Sequence, residues 1–224
     1  MENKIKVYFV FSATQIILLK KQILMIFSLH KGFRNGKIDF VMSDVTAFFI
    51  IRNTNRFNST SIKTNAIQSS TDADNYIRTF FAKTNEIFAQ QYAKKQISIP
   101  YLFPNQLRLY YYSVIKNVTL NTIDRWECEY RLELSPESNE QAVPVTGASV
   151  VITICANGDI IGIDYNMRPI ESIKRTERFN IFKVNEETIP NDTQLIYLFS
   201  SDKNVYAPFY LSNVGEGSTI NSQV

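Results

Sequence analysis

The chain has 224 residues, of which 45% are hydrophobic and 20% charged, with a net charge of +3. That length buries a full core, and 7 Gly with 7 Pro exclude collagen-like and low-complexity chains. Aromatic residues make up 13%, with 16 Phe and 12 Tyr, a bias toward sheet.

The charge is uneven. Residues 1 to 70 hold ten Lys or Arg against Glu2, Asp39 and Asp44, which is +7 and leaves −4 for the remainder. A basic N-terminal region is compatible with contact at a membrane surface, although solvated lysines dispersed over strands and loops are the simpler reading. Residues 71 to 224 are net negative, which disfavours nucleic acid as a partner.

In chain order, Lys4 to Phe11 reads as a strand. Residues 13 to 29 read as a buried helix interrupted by Lys20 and Lys21, whose stems can snorkel. Each apolar half is too short for a transmembrane span. The Lys pair occupies the place of a cleavage site, so the segment fits a signal peptide poorly. His30 falls in a turn expected to be exposed. Ile38 to Met42 and Val45 to Ile51 read as strands, so the opening has the order of a βαβ unit. The junction Phe11-Ser12-Ala13-Thr14-Gln15 lacks the glycines of a nucleotide loop.

Residues 53 to 70 are polar and aperiodic, which predicts a linker. The expected organisation is a strand-helix-strand piece over 1–57, a linker over 58–69, and a helix-plus-sheet domain over 70–224. Ser70 is the expected N-cap of a helix running to about Lys94. Ala73, Tyr76, Ile77, Phe80, Phe81, Thr84, Ile87, Phe88 and Tyr92 form its apolar stripe.

Pro100 and Pro104 end the helical region. Leu107 to Lys116 is a strand containing Tyr110-Tyr111-Tyr112, and alternation puts Tyr110 and Tyr112 on one face. Arg125 to Leu134 alternates throughout, with Trp126, Cys128, Tyr130, Leu132 and Leu134 on one side. Arg125, Glu127, Glu129, Arg131 and Glu133 take the other side, as a half-buried antiparallel strand requires. Ala148 to Tyr165 is the best-specified stretch. Two β-branched runs flank Asn157-Gly158, which predicts a hairpin closed by a type I′ turn. Further strands are expected at Phe179–Val184, Gln194–Phe199 and Val205–Leu211, then a frayed tail from Ser212. The fold class is therefore α+β, a long helix on a mostly antiparallel sheet.

Glu129-Tyr-Arg-Leu-Glu-Leu, then Val143-Pro-Val-Thr-Gly-Ala-Ser-Val-Val-Ile-Thr-Ile, then Asn157-Gly-Asp-Ile-Ile-Gly-Ile resembles the bacterial PepSY and FTP modules over about residues 70 to 170. There a strand leads to a "pVxG" turn and a hairpin closed by Asn-Gly or Asp-Gly. The resemblance implies a cystatin-like arrangement, a curled sheet with a helix packed on it. It also implies a non-catalytic envelope or secreted module that binds or restrains a partner protein.

Few chemical motifs accompany this pattern. His30 is the only histidine, which removes His-based triads and multi-His metal sites. Cys128 and Cys155 have no CxxC spacing; both read as buried thiols, with a disulfide between neighbouring strands left open. No cofactor is indicated. Glu127, Glu129 and Glu133 could serve glycoside chemistry, but the interleaved Arg125 and Arg131 make a salt-bridged surface the simpler reading. Tyr110 and Tyr112, with Arg125, Glu127, Glu129 and Arg131, are the candidate binding surface. The leading expectation is a non-enzymatic binding or regulatory module acting on a protein. The alternatives are an enzyme of unrecognised type with a carboxylate and tyrosine cleft, or a glycan-binding domain.

Overall fold

The computed structural model describes residues 4–34, 37–43, 48–57, 66–118, 121–136, 141–177 and 193–212. Its elements are β1 (Lys4–Val10), α1 (Ala13–Ile17), α2 (Lys20–Ser28), a 3-10 turn (Lys31–Phe33), β2 (Ile38–Met42), β3 (Phe49–Asn53), α3 (Thr54–Phe57) and α4 (Ser70–Ala93). There follow β4 (Leu107–Asn117), β5 (Thr122–Leu134), β6 (Val143–Cys155), β7 (Ile160–Asn166), β8 (Ile170–Glu177), β9 (Thr193–Ser200) and β10 (Val205–Ser212). The fold is α+β, and its sheet is mostly antiparallel; among the described residues β6 and β9 meet in parallel, Val145 beside Tyr197. The expected strand at Phe179–Val184, the tail beyond Ser212 and the linker residues 58–65 lie outside the described residues.

The chain forms two compact units. One holds the described residues of 4–10, 132–147 and 170–212, and the other those of 11–131 and 148–169. In the first, β1 runs antiparallel between β8 and β10, and β10 pairs β9. Val7, Val205 and Ala207 form a small core, with Phe9 and Phe209 against it. On β1 the Tyr8 ring meets Tyr197 edge-on at 5.5 Å, and the Tyr8 hydroxyl donates to the Ser135 carbonyl. The expected βαβ opening is overturned. β1 joins the C-terminal strands, whereas β2 pairs β3 antiparallel. A hairpin satisfies β2 and β3 locally, so no parallel crossover is needed.

The second unit is organised around the β6–β7 hairpin, which is extended by β3 and then β2. Val150, Ile152, Ile154, Ile161, Ile163 and Tyr165 are all fully buried. Thr153 and Ile160 are buried too, so this hairpin is covered on both faces. A string of rings runs through the unit. Phe27 of α2 meets Phe49 of β3, which stacks on Tyr165 of β7 at 4.6 Å. Tyr165 meets Phe103, Phe103 stacks on Phe81 of α4, and Phe81 meets Tyr130 of β5 edge-on. Each such pair adds about 0.5–1.5 kcal/mol beyond its buried area.

Four local expectations are corrected. Residues 13–29 form two helices, because the Leu19 N–H turns to the Ile16 carbonyl and tightens the chain. The N-cap of α4 is Ser69, since its hydroxyl accepts from the Asp72 N–H while the Asp72 carboxylate accepts from the Ser69 N–H. Nor is the Asn157-Gly158 turn type I′: Gly158 has φ +86°, but Asn157 does not enter the left-handed region. The Gly158 N–H donates to the Cys155 carbonyl, and the Cys155 N–H donates to the Asp159 carbonyl. That makes a three-residue loop closed by a glycine bulge, accompanied by a register shift at Thr153/Ile154. The Val143-to-Gly147 segment, read as a turn in the resemblance, runs as strand within β6, with Gly147 at φ +76°.

Candidate functional site

The site begins where α4 fixes the loop before β4. The Asn85 carboxamide accepts from the N–H groups of Leu102 and Phe103 and donates to the Phe103 carbonyl at 2.6 Å. Leu102, Phe103 and Leu107 are buried, which anchors the start of β4. Beyond that anchor β4 pairs with β5 alone among the described residues. From Arg108 to Lys116 its other edge therefore presents backbone N–H and C=O groups with no ladder partner among the described residues.

Along this edge Tyr110, Tyr111 and Tyr112 are 61%, 58% and 45% exposed. The run Leu109 to Ile115 contains no charged residue and no proline. On the neighbouring strand the Arg131 guanidinium carbon lies 3.3 Å from the centre of the Tyr110 ring, and its Nε donates to Glu129 Oε1 at 2.8 Å. Glu129 thus holds Arg131, and Arg131 lies over Tyr110. The Glu129 carboxylate also keeps the Arg131 guanidinium protonated more firmly than usual.

Tyr112 makes a different contact, with the Trp126 ring at 5.7 Å. Trp126 is buried, and its indole Nε1 has no hydrogen-bond partner. The structure therefore brings Tyr110, Glu129 and Arg131 together and takes Tyr112 to the opposite residue set of β5. Arg125 is part of neither group; its guanidinium is 3.9 Å from Asp124. Glu127 is half-buried on β5. A continuous ladder of alternating charges is not formed, because Arg131 meets a carboxylate two residues away on its own strand.

A second polar cluster was hidden in the sequence. Asp159, buried beside the hairpin turn, accepts from Arg56 at 2.7 Å and from Asn157 at 2.9 Å, with Lys31 at 3.5 Å. Arg56 lies in the stretch read as linker, so spacing alone gave no signal for it. The Ala66 and Ile67 N–H groups both donate to the Ala156 carbonyl, stitching that stretch to the same turn. This cluster joins three remote segments; its carboxylate is enclosed by cations and amide.

The remaining candidates are placed as follows. His30 is half-buried rather than exposed, edge-on to Phe80 at 4.6 Å with Nε2 3.3 Å from the Thr84 hydroxyl. Burial, then Lys83 and Arg34, lowers its pKa to about 4. Cys128 and Cys155 are free, buried thiols. Burial raises them to about 12 and about 11. Among the described residues no three His, Cys, Asp or Glu side chains could hold a metal ion together. Among the described residues no helix is long and apolar enough to cross a membrane. No protein-family model, curated protein or solved structure matches the chain.

Proposed function

We propose that this protein is a non-enzymatic binding or regulatory module that captures an extended segment of a partner protein along the open edge of β4. The observation that carries the reading is the long, tyrosine-rich strand β4, uncharged from Leu109 to Ile115 and paired on one side alone among the described residues. Strands left open in this way are ordinarily blunted by central charges or proline; here Arg108 and Lys116 sit only toward the ends. A partner strand would draw affinity from main-chain hydrogen bonds and specificity from Tyr110, Tyr111, Tyr112 and Arg131. Tyrosine and arginine are also the residues that most often dominate interface energetics. A PepSY-like, cystatin-like identity is compatible with this reading. Helix α4, the strand bearing Glu129 and the Asn157-Gly158 hairpin follow one another in the order that those modules have.

Capture by the full-length chain from native lysate and envelope fractions, scored by mass spectrometry, tests the proposal. The expected result is one saturable protein partner that slows amide exchange over residues 108–116 and is lost on Tyr111→Lys. A partner retained by that folded variant, or no partner at all, would overturn it. A blank result would favour an enzyme or a glycan-binding domain instead.

A further inference from the structure

Helix α2 presents an unusual outer face. Ile23, Ile26 and Phe27 are buried, together with Leu19 just before the helix. The opposite side should then be polar. Instead Leu18, Met25 and Leu29 are 71%, 50% and 52% exposed. Lys21, Met25 and Leu29 follow at intervals of four, one ridge on the helix surface, and Leu18 precedes Lys21 by three.

The segment that forms this ridge carries charge of one sign. No acidic residue occurs from Asn3 to Ile38, whereas Lys20 and Lys21 are exposed on the helix itself. At the far end the Arg34 Nε donates to the Leu29 carbonyl at 3.1 Å, which pins a guanidinium beside the last exposed leucine. Lys83 of α4 is a further cation close enough to act on His30, next in the chain after Leu29. Lys31 adds no free charge, because Asp159 lies against it. At the near end Leu18 and Gln22 line an open groove of about 620 Å³ with Tyr92, Lys95 and Ile97. Tyr92 and Lys95 are exposed there, an aromatic ring and a cation next to Leu18.

Apolar side chains standing out beside exposed cations match an interface whose outer layer is anionic and whose deeper layer is hydrocarbon. We infer that the Leu18–Lys21–Met25–Leu29 ridge docks α2 in the plane of an anionic lipid surface, with Lys20, Lys21 and Arg34 at the headgroups. An acidic protein partner would satisfy the cations but leave three large apolar groups to be matched separately. A bilayer accommodates both without shape complementarity.

Vesicle co-sedimentation of the full-length chain tests this. The chain should pellet with phosphatidylcholine vesicles containing about one-third phosphatidylserine and stay in solution with phosphatidylcholine alone, and added salt should release it. Lys20→Glu with Lys21→Glu should weaken binding by about tenfold or more, since each basic residue near such a surface is worth about fivefold. Met25→Glu with Leu29→Glu should abolish it. These positions are exposed, so far-UV circular dichroism and the melting temperature should not change. Equal binding to neutral vesicles, no binding, or binding unaffected by either variant would overturn the inference. So would a soluble dimer that Met25→Glu dissociates in the absence of any vesicle binding, since the ridge would then cover a second copy of the chain.

Discussion

The Arg131 guanidinium lies over the Tyr110 ring, its carbon 3.3 Å from the ring centre, and is held there by Glu129 from two residues back on the same strand. Arg131 is partly exposed, so the contact is worth about 0.5–1 kcal/mol, too little to matter to stability. Its consequence is orientation: the most exposed tyrosine of β4 is held against the sheet. Arg131→Ala should leave the melting temperature within a degree or two. It should weaken the protein partner captured through β4 by about tenfold, as expected for an arginine at the centre of an interface. Titration by calorimetry compares the two chains. Unchanged affinity would remove Arg131 from the binding surface.

Gly32 and the β7 backbone are packed without space for a side chain. A methyl group at Gly32 would overlap the Ile160 carbonyl oxygen, and backbone on both sides prevents relief by rotamer change. The Asn53 side chain adds to the constraint by donating to the Gly32 carbonyl at 2.8 Å while itself fully buried. Gly32→Ala should therefore destabilise the protein by about 3 kcal/mol or more, in the range of severe core overpacking. Urea denaturation would measure it; a loss below 1 kcal/mol would mean that the 3-10 turn can shift away from β7.

His30 gives the stability a pH dependence. Its folded pKa, lowered to about 4 by burial and by Lys83 and Arg34, lies below the ordinary value of 6.5. The unfolded chain consequently takes up the proton first as the medium is acidified. Stability from this group is complete above pH 6.5 and falls between pH 6.5 and pH 4. With partial exposure to water discounted, the loss should be about 1–2 kcal/mol. Equilibrium unfolding of wild type and His30→Leu at pH 7 and pH 4.5 separates this contribution from that of the carboxylates. The variant should lose less stability over that interval, and parallel losses would exclude His30 as the cause.

The two cysteines should be silent in the folded protein. Burial raises Cys128 to about 12 and Cys155 to about 11, so little thiolate exists at pH 8 and what exists is enclosed. Ellman's reagent should titrate no thiol in native buffer and two in denaturant. Rapid reaction of either under native conditions would show local opening at β5 or at the hairpin.

Period-two alternation made β5 legible residue by residue. Trp126, Cys128, Tyr130, Leu132 and Leu134 are buried as the pattern requires, and Arg125 to Glu133 are half-buried. The β6–β7 hairpin and most of the α4 stripe (Ala73, Ile77, Phe80, Phe81, Thr84 and Phe88) were legible for the same reason, periodicity and turn residues being local properties of the chain, whereas Tyr76 and Tyr92, expected in that stripe, stand exposed. The N-cap was misplaced by one residue because Ser69 and Ser70 are chemically equivalent in sequence, and only the reach of Asp72 distinguishes them.

Tertiary structure decided what local pattern cannot encode. The pairing of β1 with β8 and β10 joins residues far apart in the chain, and strand propensity carries no partner information. The turn at Asn157-Gly158 is a three-residue loop with a glycine bulge, and Asp159 beside it is tied to Arg56 and Lys31 from remote segments. At the candidate site the sequence supplied the tyrosines and charges by type. Their grouping depended on long-range packing: Tyr110 is under Arg131, Tyr112 is beside Trp126, and β4 has a strand partner on one side alone among the described residues.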